Sequence, residues 1–121
     1  MARADAALVV LFGSNGTLLG VSRPHDPNDF GLPGGSVEPG EFPEQAAARE
    51  VLEETGLIVR DLEKLEQVTY RERVVHCFRA RVFEGVPRAS SEGVVAWVTW
   101  EQLSRGTYGD YNRRLQLAHF P

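Results

Sequence analysis

Three glutamates, Glu50, Glu53 and Glu54, stand within five residues, directly after Arg49. They lie in PEQAAAREVLEET, a run of strong helix formers. A helix turns by about 100° per residue, so Glu53 falls roughly 60° to one side of Glu50 and Glu54 roughly 40° to the other. The carboxylates therefore share one arc, with Arg49 placed four residues before Glu53 to pair with it. Ala47, Ala48, Val51 and Leu52 fall on other sectors and are expected to pack on a sheet. Three acids gathered this tightly repel one another. Taken alone, such a run is more often a solvated face. The other answer is a hard divalent cation. Magnesium takes oxygen ligands, needs few carboxylates and accepts substrate phosphate oxygens in its remaining positions.

The residues upstream decide between these readings. Gly35, Glu41, Arg49, Glu50, Val51, Glu53, Glu54, Gly56 and Leu57 fit the pattern G-x5-E-x7-R-E-U-x-E-E-x-G-U, where U is a bulky aliphatic. In this stretch the chain resembles the Nudix hydrolases and matches their signature box without a departure. At average residue usage, a chance match has odds on the order of one in ten million or less. The resemblance implies an α+β fold, an α/β/α sandwich with a mixed β-sheet. It also implies metal-dependent cleavage of a pyrophosphate bond in a nucleoside diphosphate linked to another group.

Carried over residue by residue, the resemblance makes Glu50 and Glu54 the main ligands of Mg2+ or Mn2+. Glu53 becomes a further ligand or a water-positioning carboxylate, and the backbone carbonyl of Gly34 or Gly35 an additional ligand. Arg49 becomes an orienter of Glu53, and Glu41 a brace between loop and helix. The general base varies in this family. Glu92, in ASSEGVVAW, is one candidate beside Glu53, and an ordinary loop acid is the competing reading.

Substrate residues are sought outside the box. Arg23 offers a phosphate contact or is a strand-end charge. Phe30 offers stacking on a base or closes the core. Asp110 and Asn112 offer hydrogen bonds to a base edge or cap the last helix. The leading expectation is a MutT-like hydrolase acting on a nucleoside triphosphate, oxidised forms included, to give a monophosphate and pyrophosphate. ADP-ribose or another nucleotide sugar, a dinucleoside polyphosphate and a capped RNA end are alternatives in the same class. A nucleotide-sensing module without turnover is the alternative of another class. A homodimer is common in the family.

The whole chain is consistent with this. Its 121 residues suit one domain, 1–121, able to bury a core unaided. The formal net charge of −4 argues against stable binding to a nucleic-acid backbone, while a cation can mediate contact with a phosphorylated small molecule. Cys77 is the single cysteine, so no internal disulfide forms. Neither a signal peptide nor an apolar run of membrane-spanning length is evident, and a cytoplasmic location is expected.

The supporting elements read as follows. AALVVLF is a buried strand, Asn15-Gly16 a two-residue hairpin turn, and LLGVSR the partner strand. Residues 24–35, dense in Pro, Asp and Gly, read as a functional loop. The glutamate helix starts near Pro43 and ends at Gly56. One or two long strands and the strand GVVAWVTW follow, with Trp97 and Trp100 as core anchors. Thr99 is placed to cap a short helix, and YNRRLQLAHF reads as a C-terminal helix.

Overall fold

The computed structural model describes residues 3–91 and 93–121. The chain runs β1 (Ala6–Val10), β2 (Leu18–Arg23), β3 (Asp26–Gly31), β4 (Gly34–Ser36), α1 (Pro43–Thr55), β5 (Ile58–Tyr70), β6 (Arg73–Glu84), β7 (Val95–Val98), α2 (Trp100–Ser104) and α3 (Gly109–His119). Two sheets form, a four-stranded one ordered β4-β1-β6-β5 and a three-stranded one ordered β3-β2-β7. β1 and β6 are parallel, and the other pairings are antiparallel. The expected α+β class with a mixed sheet holds.

β1 explains the layering. Successive side chains of a strand point to opposite faces. Ala7 and Val9 join one core cluster with Ala46, Ala47 and Val51 of α1. Ala6 and Val10 join a second with Leu103 of α2 and Tyr111 and Leu115 of α3. The sheet is thus covered on both faces, which is why AALVVLF is apolar throughout rather than alternating.

The same double burial corrects the expected hairpin. Asn15 (φ 59) and Gly16 (φ 73) do turn the chain, inside a short 3-10 segment. Phe12 and Leu18 then form one antiparallel bridge, and the strands part into different sheets. A strand apolar on both sides is satisfied at the centre of the mixed sheet, beside β6, rather than in a two-stranded ribbon.

The expected loop at 24–35 is also corrected, because it folds into β3 and β4. Both are edge strands. Pro27 is tolerated there because an edge strand has one side free of ladder partners. Helix α1 matches its expected ends. Gln45 Oε1 accepts the Phe42 N–H at 2.8 Å, and Gly56 closes the helix in the left-handed region at φ 80. Leu52 departs from expectation, being 50% exposed; Thr55 is buried in its place. Thr99 caps α2 by accepting from Gln102 N at 3.1 Å. Trp97 is not a core anchor: it lies partly exposed over Gly13 and beside Phe83, whereas Trp100 packs against Phe12 and Phe120.

β5 carries a bulge. Lys64 pairs with Phe78 and Glu66 with Cys77, so Leu65 is extra. Paired residues share a face, and one extra residue inverts the alternation. Leu62 accordingly packs in the α1 cluster, whereas Val68 and Tyr70 pack in the α3 cluster. Glu66, after the bulge, falls on the α3 side.

Candidate active site

The glutamate helix sits against β4 through two glycines. A Cβ on Gly35 would fall 2.5 Å from the Glu50 carboxyl carbon, and one on Gly34 would fall 2.1 Å from Ala7 O. The missing Gly35 side chain lets the backbone lie directly under the Glu50 carboxylate, and the missing Gly34 side chain lets β4 approach β1 closely. Glu54 Oε1 accepts the Gly34 N–H at 2.8 Å. Glu50 and Glu54 thus both converge on the Gly34–Gly35 segment, while the Glu53 side chain is 51% exposed.

Arg49 organises this cluster. Its Nε and Nη2 donate to Glu41 at 2.8 and 3.0 Å, its Nη1 donates to Glu50 at 2.9 Å, and Nη2 also reaches Ser36 O at 3.0 Å. Its contact with Glu53 is longer, 3.3 Å. Arg49 thus reaches Glu53 at i+4 as expected, while its shortest bonds go to Glu41 and Glu50. Hydrogen bonds from Arg49, then from the Glu38 N–H, hold the Glu41 carboxyl down at about 2. The hydrogen bond to Glu41 first, and the one to Glu50 next among the favourable contacts, push the Arg49 guanidinium further into its charged form.

Among the described residues, no three His, Cys, Asp or Glu side chains are gathered at metal-binding spacing. The donor set nonetheless suits magnesium, which is held by one or two carboxylates and completed by water and substrate phosphate. Two half-buried carboxylates beside glycine backbone supply hard oxygen ligands of that kind. Nudix hydrolases generally use divalent metals.

Beside them opens a cavity of about 560 Å³. Gly34, Gly35 and Glu54 line one part of it, and Tyr111, Asn112 and Asp29 line others. Arg23, Arg71 and Arg73 also line it, so an acidic helix faces a basic rim. Arg23 comes from the end of β2. Its Nε is buried with no hydrogen-bond partner, and its Nη1 reaches Tyr108 OH at 3.4 Å. An orphan buried donor in a cavity wall is the kind of group a ligand acceptor satisfies.

The other substrate candidates divide. Asn112, 2% exposed, lines the cavity and donates through Nδ2 to Leu103 O at 3.3 Å. Phe30 is corrected to a core residue. It is 8% exposed in the α3 cluster, and strand alternation sends its neighbours Asp29 and Gly31, not Phe30, to the cavity. Asp110 is corrected as well. It lies outside this lining, accepting from Tyr70 OH at 2.6 Å and from the Tyr111 N–H at 2.9 Å. Glu92 lies outside the described residues.

Sequence reading missed Asp29, Arg71 and Arg73. Asp29 accepts from the Thr107 N–H at 2.8 Å, tying β3 to the turn before α3. Arg71 and Glu72, both at positive φ (49 and 66), make the tight turn between β5 and β6. The Arg71 guanidinium lies 5.0 Å from the Tyr70 ring centroid and 5.5 Å from that of Tyr108. The signal was present in YRER, a charged tip between two strand-like runs.

A carboxylate helix on a glycine-lined strand, next to an arginine-rimmed cavity, suits a ligand that carries phosphate groups. The NUDIX domain family matches residues 2–118. A MutT-like protein of Streptomyces ambofaciens is 38% identical over 109 residues, covering 88% of this chain and 70% of that protein. An oxidized purine nucleoside triphosphate hydrolase of Danio rerio is 44% identical over 76 residues, covering 58% of this chain and 49% of the relative, so the match spans about half of that relative's length. In fold, the crystal structure of a MutT NUDIX hydrolase from Burkholderia pseudomallei aligns with a TM-score of 0.78 at 23% identity, covering 96% of this chain and 97% of that one. The chain belongs to the NUDIX family. It is an enzyme of the pyrophosphohydrolase class, a hydrolase of acid anhydrides. Among the described residues, no helix is long and apolar enough to cross a membrane.

Proposed function

We propose that this protein, read as one domain over residues 1–121, hydrolyses a nucleoside triphosphate to a monophosphate and pyrophosphate, with oxidised purine nucleotides as the leading substrates. The observation that carries this reading is the shared cavity: Glu54, Gly34 and Gly35 line the same space as Asn112 and Tyr111. Phosphate chemistry and base contact then fit within one ligand. The name of the Danio relative supports the same choice.

In this reading Glu50 and Glu54 would hold Mg2+ or Mn2+, with a carbonyl of Gly34 or Gly35 as a further ligand. The ion, when bound, neutralises phosphate charge that the glutamates alone would repel. Arg49 fixes Glu50 and leaves Glu53 more exposed, where Glu53 accepts a proton from the attacking water. Arg23 satisfies its orphan N–H on a phosphate or base acceptor. Asn112 offers an amide to the base edge, which pairs donors with acceptors.

The test is turnover of a nucleotide panel with magnesium, with a chelator, and with excess magnesium restored. Activity falling to background and returning is expected. Full turnover in metal-free buffer would overturn the metal assignment. Tight binding without cleavage would favour a nucleotide-sensing module instead.

A further inference from the structure

Glu66 is a carboxylate that the chemistry above does not use. Its side chain is 8% exposed. It accepts from Tyr111 OH at 2.9 Å, from Arg114 Nη1 and Nη2 at 3.2 and 2.5 Å, and pairs with His119 Nε2 at 2.8 Å. All three partners belong to α3, so one carboxylate of β5 fastens most of that helix. Burial alone would raise the Glu66 carboxyl, yet the bonds from Arg114, His119 and Tyr111 outweigh it and hold it below its ordinary value. It stands ionised behind the cavity wall and lines no part of the cavity itself.

We infer that Glu66 is a positioning residue for the base-facing wall, acting through Tyr111 to fix Tyr111 and Asn112 against the substrate. The inference rests on the nucleotide reading given above. Its physical basis is the short path from one to the other. Tyr111 is 3% exposed, lines the cavity, and is adjacent to Asn112 on the first turn of α3. The phenol oxygen is its handle, and Glu66 is the charged group that holds it, with Cys77 beside it. A buried charge-assisted bond resists displacement more than a neutral one. Loss of it lets the wall move by fractions of an ångström, which weakens contact with the base. The ligand end at Glu50 and Glu54 belongs to the opposite core cluster's helix and is left in place.

The experiment measures kcat and KM of wild type, Glu66→Gln, Tyr111→Phe and the double variant, with magnesium, on a purine nucleoside triphosphate and on ribose 5-triphosphate, which lacks a base. Tyr111→Phe removes only the hydroxyl and keeps the ring in the core, so it serves if Glu66→Gln fails to fold. The expected result for Glu66→Gln is a KM for the nucleotide raised about tenfold, with kcat within about twofold and the baseless substrate unchanged; Tyr111→Phe should raise the nucleotide KM to a similar extent. The double variant should be no worse than the poorer single one, because both break the same link. A purely structural role would lower the melting temperature without moving the ratio between substrates. Equal losses on both substrates, unchanged KM, or additive effects in the double variant would overturn the inference. A wild-type protein that cleaves no nucleotide would overturn the substrate reading, and this inference with it. Wild-type cleavage with unmoved selectivity would overturn this inference alone.

Discussion

Arg49 meets Glu41 through two parallel donors, Nε at 2.8 Å and Nη2 at 3.0 Å, and so clamps the loop just before α1 to the middle of that helix. Glu41 in turn accepts the Glu38 N–H at 3.0 Å, which ties the loop after β4 into the same unit. A planar guanidinium makes this two-point bond, and a lysine ammonium does not.

The clamp has a pH signature. Glu41 is held near 2 against an ordinary 4.5, so its contribution to stability is complete above its ordinary value and fades as pH falls through that interval. Glu41→Gln should therefore melt below wild type at neutral pH, and the gap should narrow from about pH 5 toward about pH 2. Melting curves across that range check this. A gap that stays constant with pH would disprove the clamp's ionic character.

The two glycines of β4 should respond differently to the same change. In Gly35→Ala the new methyl meets the Glu50 carboxyl group at 2.5 Å, and a side chain can swing away. Activity should fall on the order of 100-fold, with little change in melting temperature. In Gly34→Ala the methyl meets Ala7 O at 2.1 Å and the Leu8 Cα at 2.9 Å, both backbone-bound. That variant should lose about 1–3 kcal/mol of stability or more, since the strand pairing itself must shift. Thermal melts beside turnover assays separate the two.

The proton acceptor is addressed by Glu53→Gln and Glu92→Gln. Glu53 is expected to be the base, so its variant should lose at least 100-fold in kcat while Glu92→Gln stays within about tenfold of wild type. Side-by-side kcat measurements at saturating magnesium decide it. The reverse order would move the base to Glu92.

The parts of the molecule that sequence exposes well are those set by near neighbours. Helix α1 is one, because Pro43, Gly56 and the helix formers between them act within a turn of each other. The spacing of Glu41, Arg49 and Glu50 likewise survives as direct contacts. Thr99 as a cap is local too. What stayed hidden depends on partners distant in the chain. Residues 24–35 have loop composition, yet edge pairing with β2 and β1 makes them strands. Asp29, not Phe30, reaches the cavity because sheet pairing, not residue type, decides which of the two faces it. Asp110 is drawn to Tyr70, forty residues away. Nothing in the local sequence singles out Glu66, and its burial follows from a bulge that only the pairing with β6 reveals.

That bulge gives strand length the quality of a reading frame. At most positions of an edge strand, gaining or losing a residue near an end changes little in the middle. Deleting Leu65 would only close the bulge, with Lys64 still opposite Phe78 and Glu66 still opposite Cys77. Deleting Gln67 would close it the other way, bringing Glu66 opposite His76 and turning it away from α3. Single deletions in β5 should therefore differ by position: loss of Leu65 should keep the acid that fastens α3, and loss of Gln67 should release it.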